Sequence, residues 1–130
     1  MAIFTHVVLG ANDLDKSRKF YDATLGALGV KNMGPMGERG FLYGKDSPEF
    51  LVTKPANGQP ACHANGGTIG FKCESAEQVK TFHDVAVAHG GTSIEEPPGL
   101  RESAMGAMHL SYVRDPDGNK LCAVWRVPKA

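Results

Sequence analysis

The fold is decided by residues 4–28, which read FTHVVLGANDLDKSRKFYDATLGAL. Residues 4–10 are mostly apolar and rich in β-branched side chains, which is typical of a short buried strand. Asn12 or Asp13 then offers a helix N-cap. Apolar residues recur after the cap at helical spacing, namely Leu14, Tyr21, Leu25 and Leu28. The stretch therefore predicts a strand, a short loop and a helix of about four turns.

A second stretch, residues 68–91, repeats this organisation. It reads TIGFKCESAEQVKTFHDVAVAHGG, with Ser75 and Gln78 spaced as in a capping box and two glycines where the helix should stop. An offset of 62 residues lays the two stretches on each other without a gap, and their apolar positions coincide. The coinciding pairs include Val7 with Ile69, Leu9 with Phe71, and Phe20 with Phe82. We infer an internal duplication.

Extended, turn-punctuated sequence follows each helix. The predicted strands are FLYG at 41–44, EFLVTK at 49–54, TSIEE at 92–96, HLSYVR at 109–114 and KLCAVWR at 120–126. Gly34-Pro35 and Gly37 are predicted to separate a short extended stretch from the first of these, and residues 97–103 (PPGLRES) are predicted to form a long loop. The DPDGN sequence at 115–119 predicts a tight hairpin turn, because proline and glycine stand where such a turn favours them.

The chain is therefore predicted to be one α+β domain built from two β-α-β-β-β modules. Module one spans residues 1–54 and module two spans residues 68–130. Residues 55–67, dense in proline, glycine, asparagine and alanine, form the predicted linker. A length of 130 residues fits a single domain with a substantial core.

Composition and charge exclude several classes of protein. Apolar residues make up 42% and charged residues 22% of the chain, which is typical of a globular domain. Basic and acidic residues number 14 each, so the chain lacks the basic excess expected of a protein that binds nucleic acid or an anionic membrane. We expect no membrane span and no signal peptide, because no apolar run is long enough and the N-terminus lacks their features.

The cysteines indicate a reducing compartment. Cys62, Cys73 and Cys122 are odd in number and form no Cys-x-x-Cys pair. A disulfide framework is therefore not expected, and we predict a cytoplasmic protein.

The doubled module resembles a known superfamily. THVVLGANDLDKSRKFYDATLG at 5–26 and YVRDPDGNKLCAVW at 112–125 are similar to the vicinal oxygen chelate superfamily, which comprises glyoxalases, bleomycin-resistance proteins and extradiol dioxygenases. The stretch from GGTIGF through PPGLRE to the last strand resembles a branch labelled lactoylglutathione lyase-related. The resemblance implies sheets that curve into a cup with the helices outside. It also implies that the inner faces of the cup hold the ligand and, in enzymes, a divalent metal.

The resemblance also implies four metal-ligand positions, at the first and last strands of each module. His6 matches the first position, but Thr68 stands where a second histidine is usual and Cys122 where a glutamate is usual. The fourth position holds Leu51, or Glu49 after a two-residue slip that preserves the side-chain facing. A catalytic zinc normally has three strong protein ligands, so this set predicts a degenerate metal site.

Two functions of different class follow. The first is a protein that binds a small organic molecule in the cup, with no cofactor. The alternative is a metal-dependent lyase or isomerase resembling glyoxalase I, or a dioxygenase, that uses Zn, Ni, Fe or Mn with an altered ligand set. In either case we expect a small-molecule ligand and a homodimer, because the open edges of the sheets offer a surface to a second chain.

Five residues are candidates for ligand binding: His6, Thr68, Lys72, Arg101 and Cys122. Each also has a structural interpretation. His6 can be a partly buried polar residue, Cys122 a small apolar residue, and Lys72 a lysine at the rim of the sheet. Arg101 can bind an anion with two hydrogen bonds or can be a solvated loop residue. His109 lies on a strand whose facing the sequence leaves open.

Overall fold

The computed structural model describes residues 3–104 and 106–128. They form two α-helices and eight β-strands in the order β1 (Val7–Gly10), α1 (Leu14–Gly26), β2 (Lys31–Met36), β3 (Gly40–Gly44), β4 (Pro48–Thr53), β5 (Ile69–Lys72), α2 (Ala76–Ala88), β6 (Thr92–Ser103), β7 (Gly106–Arg114) and β8 (Lys120–Arg126). The predicted β-α-β-β-β order is confirmed in both halves. Within residues 3–104 and 106–128, neither helix has the length and apolarity needed to cross a membrane.

Each module forms its own four-stranded mixed sheet. The strand orders are β1-β4-β3-β2 and β5-β8-β7-β6, and they match position for position. In each sheet the first strand pairs in parallel with the last, and the other pairs are antiparallel. The α+β class expected from the duplication is therefore confirmed.

Both helices begin at the caps that the sequence indicates. Asp13 is the N-cap of α1, where its side chain accepts a hydrogen bond of 3.1 Å from the backbone N–H of Lys16. Ser75 caps α2 in the same way, accepting from the N–H of Gln78 at 3.1 Å. The Gln78 side chain accepts in return from the N–H of Glu74 at 2.7 Å, so the chain entering the helix is held from both sides.

One apolar core joins the two modules. Phe20 and Phe82, equivalent in the duplication, are both fully buried in it, and Val7, Leu9, Ile69 and Phe71 pack against it. Phe50 of β4 and Phe71 of β5 meet across the module boundary with ring centroids 5.2 Å apart. Each sheet therefore has one face against this core and one face that no helix covers, because strand side chains alternate.

The turn at residues 115–119 docks module two on module one. Within the turn, the N–H of Asp115 donates to the carbonyl of Asn119 at 2.9 Å, which confirms the hairpin turn. The hydroxyl of Tyr21, on α1, donates to the carboxylate of Asp115 at 2.5 Å. The side-chain amide of Asn119 donates to the carbonyl of Gly10 at 3.1 Å. The turn therefore fixes how the two modules pack.

Two predictions about loops are wrong. Gly34-Pro35 lies inside β2 at a register shift against β3, instead of ending an extended stretch. Residues 97–103 are not a loop, because β6 continues through them as far as Ser103. Ile94 pairs with Tyr112 and Gly99 with Leu110, so residues 95–98 bulge out opposite a single residue of β7.

Candidate functional site

A groove between β1 and β5 brings together predicted site residues from both modules. It has a volume of about 400 Å³ and is lined by His6, Glu49 and Lys72 among others. Glu49 lies near His6 because β4 runs parallel to β1, with Val7 opposite Phe50. Leu25, Leu28 and Val30, from the end of α1 and the segment after it, also line the groove. The groove therefore combines several charged or titratable side chains with an apolar wall.

His6 itself is exposed and immediately precedes β1. Its Nδ1 lies 2.9 Å from the hydroxyl oxygen of Thr5. Val7 and Leu9 pack against the core, whereas Val8 is 47% exposed on the other face. The Val8 face of β1 therefore points away from the helices. Val8 is the register partner of Leu51, which places Leu51 on this face of β4.

A second cavity continues along β5. Its volume is about 560 Å³, and Gly70 and Lys72 line both this cavity and the groove. Val124 and Arg126, at the end of β8, line it from the neighbouring strand. The two spaces therefore adjoin each other along β5.

Beside this cavity lies the uncovered face of the second sheet, here called the open face. Its residues are Met108, Leu110, Tyr112, Cys122 and Val124, which pack together as one cluster. Ser111 and Val113, which alternate with them on β7, point to α2 and to the core instead. Met108, Leu110 and Cys122 are buried even though no helix covers them. The open face is therefore an apolar surface that borders the second cavity through Val124.

Four charged residues, here called the charged rim, border the open face: Glu95, Glu96, Arg101 and Lys120. The Lys120 ammonium forms an ion pair with Glu95 and lies 4.8 Å from the ring centroid of Tyr112. Arg101 donates to the carbonyl of Pro97 at 2.7 Å and pairs with Glu96 at 3.5 Å. The bulge of β6 therefore places two carboxylates against two cations at the edge of the open face.

These surroundings change the acidity of two open-face residues. Burial raises the pKa of the Cys122 thiol above its ordinary value, although the hydrogen bond with Tyr112 and the charge of Lys120 act in the opposite direction. Burial also raises the pKa of Tyr112, and the neighbouring Cys122 adds to that shift. Both groups are therefore held in their neutral forms near neutral pH.

The structure places four of the five predicted ligand residues in two groups. His6 and Lys72 share the groove, whereas Cys122 and Arg101 belong to the open face and its rim. Thr68 is exposed, just before β5, and lines neither cavity. Arg101 lies on β6, so its predicted loop position is wrong.

Other residues were predicted incompletely or not at all. His109 packs against Trp125, with ring centroids 5.6 Å apart, on the side of the sheet opposite the open face. Sequence reasoning missed Glu95, Tyr112 and Lys120 as members of a site. The available signal was strand alternation, which places Lys120 on the same side of β8 as Cys122.

The metal-ligand positions implied by the resemblance are only partly occupied by residues with strong donor atoms. Of those positions, His6 and Cys122 carry strong donor atoms, as does Glu49 if it takes the fourth position, whereas threonine is a poor ligand and leucine is none. In the described part of the chain, no three His, Cys, Asp or Glu side chains come close enough together to hold a metal ion. Glu49 shares the groove with His6, but these two residues alone fall short of three ligands.

Comparison with known proteins identifies the family. Residues 3–123 match the model of the Glyoxalase/Bleomycin resistance protein/Dioxygenase superfamily. A crystal structure of a glyoxalase/bleomycin resistance protein from Albidiferax ferrireducens T118 is 48% identical, with a TM-score of 0.91 over 96% of this chain and 100% of that one. The lactoylglutathione lyase structure from Agrobacterium tumefaciens is 20% identical, covers 95% of this chain and 92% of that one, and shares the fold at a TM-score of 0.65.

A curated relative is more distant. Lactoylglutathione lyase GLX1 of Arabidopsis thaliana is 26% identical over 129 residues, which cover 96% of this chain but 44% of the relative. The chain thus spans about half the length of the curated relatives it matches. The family match covers nearly the whole chain, and the fold agrees with it. The chain belongs to the Glyoxalase/Bleomycin resistance protein/Dioxygenase superfamily.

Proposed function

We propose that this protein binds a small organic molecule on the open face and in the adjoining cavities, without the divalent metal of the superfamily's enzymes. The observation that carries this proposal is the position of Cys122. The resemblance expects a carboxylate ligand there, and Cys122 instead supplies a buried thiol among Met108, Leu110 and Val124. Such a surface favours apolar atoms of a ligand over a metal ion.

The experiment uses a neutral aromatic probe, 2-naphthylmethanol. Its binding is measured by equilibrium dialysis and by amide chemical shifts, and we expect saturable binding with shifts on β7 and β8. Cys122→Asp should abolish binding, because a carboxylate on an apolar surface resists losing its water. Cys62→Asp, at an exposed linker position, is the matched control and should bind as the wild type does. Binding that survives in a folded Cys122→Asp variant contradicts the proposal.

The second candidate is a metal-dependent lyase. It is supported by the similarity to lactoylglutathione lyases of plants, at 26% identity. The two candidates differ in metal content and in turnover. Protein purified without chelators is analysed for metal and then assayed for lactoylglutathione lyase activity with Zn²⁺, Ni²⁺, Fe²⁺ or Mn²⁺ added. The binding-protein proposal expects substoichiometric metal and no activity, whereas stoichiometric metal with turnover establishes the lyase instead.

We further propose that the protein is a homodimer in a reducing cytoplasm. Each sheet has two edge strands, β1 and β2 in one and β5 and β6 in the other, and open edges favour association with a second chain. All three cysteines are free thiols, as a reducing compartment maintains them. Sedimentation equilibrium should give twice the chain mass at micromolar concentration. A monomer mass throughout that range would remove the dimer from the proposal.

A further inference from the structure

The geometry points to an anion-binding subsite on the charged rim, in which Lys120 and Arg101 bind a carboxylate or phosphate group of the ligand. When the ligand is absent, Glu95 and Glu96 form ion pairs with these two cations. This inference rests on the proposed function, since it names the chemical class of the ligand held on the open face. It predicts an organic anion whose apolar body covers Tyr112 and the buried floor around Cys122.

In both ion pairs of the charged rim, the side chain of the cation is more buried than that of the glutamate. The side chains of Lys120 and Arg101 are 25% and 24% exposed, whereas those of Glu95 and Glu96 are 47% and 79% exposed. The cations are therefore the inner members of both ion pairs. Ion pairs with one well-exposed partner contribute little to stability, so a ligand anion can replace the glutamates at small cost.

The backbone of the bulge also favours exchange. Glu95 has a φ of 59°, in the left-handed region that residues other than glycine seldom adopt. It is the one non-glycine residue with positive φ among residues 3–104 and 106–128. Its neighbours at 96–98 lie outside the regular pairing with β7. Glu95 is therefore held against Lys120 by a segment that can move without breaking the ladder.

The cations are well placed for a ligand with an apolar body. Lys120 lies over the Tyr112 ring, 4.8 Å from its centroid, so its charge borders the open face directly. Arg101 is the register partner of Met108, and Lys120 alternates with Leu121 on β8, so both cations lie on the open-face side of the sheet. The guanidinium of Arg101 can offer paired hydrogen bonds to a carboxylate or phosphate. Each ion pair has no net charge. An anion is therefore attracted to one of the cations only if it displaces the paired glutamate.

The test compares probes that share a naphthalene body and differ in charge. They are 2-naphthoate, 2-naphthyl phosphate, neutral 2-naphthylmethanol and cationic 2-naphthylmethylamine, with inorganic phosphate as a body-free anion. Calorimetry on the full chain should show that at least one organic anion binds more tightly than the neutral probe. The amine should bind more weakly than the neutral probe. The carboxylate and phosphate probes show which anionic group the subsite prefers. Inorganic phosphate should bind weakly, because it leaves the open face uncovered.

Variants then separate the roles of the cations and the glutamates. Lys120→Gln should weaken binding of the preferred anion roughly tenfold or more, because a charged hydrogen bond is lost, and should weaken the neutral probe much less. Lys120→Arg should restore much of the affinity. Glu95→Gln should strengthen anion binding by roughly fivefold, since the internal competitor is removed. The matched controls are Lys80→Gln and Asp84→Asn, which break an exposed pair on α2 and should change nothing.

Three results would overturn the subsite, and they differ from a failure of the proposed function. The subsite is wrong if neutral and anionic probes bind equally and Lys120→Gln affects neither, although binding to the open face then stands. It is also wrong if Glu95→Gln weakens anion binding, or if the amine binds best and depends on Glu95. If none of the naphthalene probes binds to the folded wild type, the open face is not a ligand site and both proposals fall.

Discussion

Cys122 owes its chemistry to its position in the second sheet. It lies in the middle of a mixed sheet, with Tyr112 as its register partner on β7 and Gly70 on β5. Burial raises the pKa of its thiol, so little thiolate exists at neutral pH. The nearby Lys120 charge favours the thiolate, but the desolvation effect is larger. The side chain therefore behaves as a small apolar group.

Slow alkylation of Cys122 is the first prediction. In the folded protein, iodoacetamide should label Cys122 much more slowly than Cys62, because only the thiolate reacts and access to it is restricted. Peptide mass spectrometry over a time course gives both rates in one sample, with Cys62 as the internal control. Cys73, whose pKa burial raises to about 11, should also stay unlabelled. Equal rates at Cys62 and Cys122 would indicate a reactive thiol instead.

Single-residue patterns predicted part of the site. Strand alternation places Val8 and Cys122 on uncovered faces, and it can be read from the sequence because it depends only on the residue's own strand. The contact of Lys120 with Glu95 could not be predicted in this way. It requires the register of three strands, since Glu95 stands on β6 and Lys120 on β8. Strand pairing between distant segments leaves no local trace in one sequence.

The bulge in β6 is the element in which local sequence and structure disagree most. Pro97-Pro98-Gly99 is typical of a loop, and both prolines lack the N–H that a ladder needs. The chain nevertheless returns to β7, with Leu100 opposite His109 and Arg101 opposite Met108. The long partner strand β7 sets this outcome, which is why the sequence of β6 alone does not reveal it. Helix caps were predicted correctly because they are local.

A comparison of the Glu95→Gly and Glu95→Gln variants tests whether the backbone is strained at this position. Both substitutions remove the ion pair with Lys120, so their difference in stability reports on the backbone. Glu95→Gly should be more stable than Glu95→Gln by about 1 kcal/mol, because glycine adopts a positive φ without strain. Urea unfolding gives both values. At Glu96, outside the left-handed region, the order should reverse, and the same order at both positions would argue against strain at Glu95.

The association of the two modules is the whole-molecule feature that depends most on buried polar groups. The Asp115 carboxylate accepts hydrogen bonds from Tyr21, from the N–H of Asp117, and from both the N–H and the side-chain amide of Asn119. Asp117 extends the contact by accepting from the Ser17 hydroxyl at 3.1 Å. Burial raises the pKa of Asp115 despite these bonds, which act in the opposite direction.

The stability supplied by Asp115 should therefore depend on pH. The folded state keeps the proton to a higher pH than the unfolded chain, so this contribution is complete below the unfolded pKa and is lost as pH rises through the folded one. The unfolding free energy of wild type minus that of Asp115→Asn should fall as the pH rises above about 4. Taking the difference cancels the other titrating groups. Parallel curves, or a difference that grows with pH, would contradict the raised pKa.

A double variant tests whether residues from the two modules can together form one metal-binding site. Thr68→His and Cys122→Glu would add a histidine and a carboxylate to His6, which together are the minimum set for Zn²⁺, Ni²⁺ or Fe²⁺ with open positions. Because His6 belongs to module one and the other two to module two, metal uptake requires both modules to supply ligands to one site. Wild type should bind little metal, since its donors fall short of three.

The double variant should take up about one metal ion per chain and melt at a higher temperature when metal is added, because a ligand that binds only the folded state stabilises it. Calorimetry on protein shown to be folded gives the stoichiometry, and sedimentation in the same buffer gives the mass. Uptake by a monomer would mean that one chain completes the site; uptake restricted to a dimer would mean that the two modules come from different chains. A folded double variant that binds no metal would show that His6, Thr68 and Cys122 do not converge. If the wild type itself binds stoichiometrically, Glu49 becomes the first candidate for the missing ligand, since it lines the groove with His6.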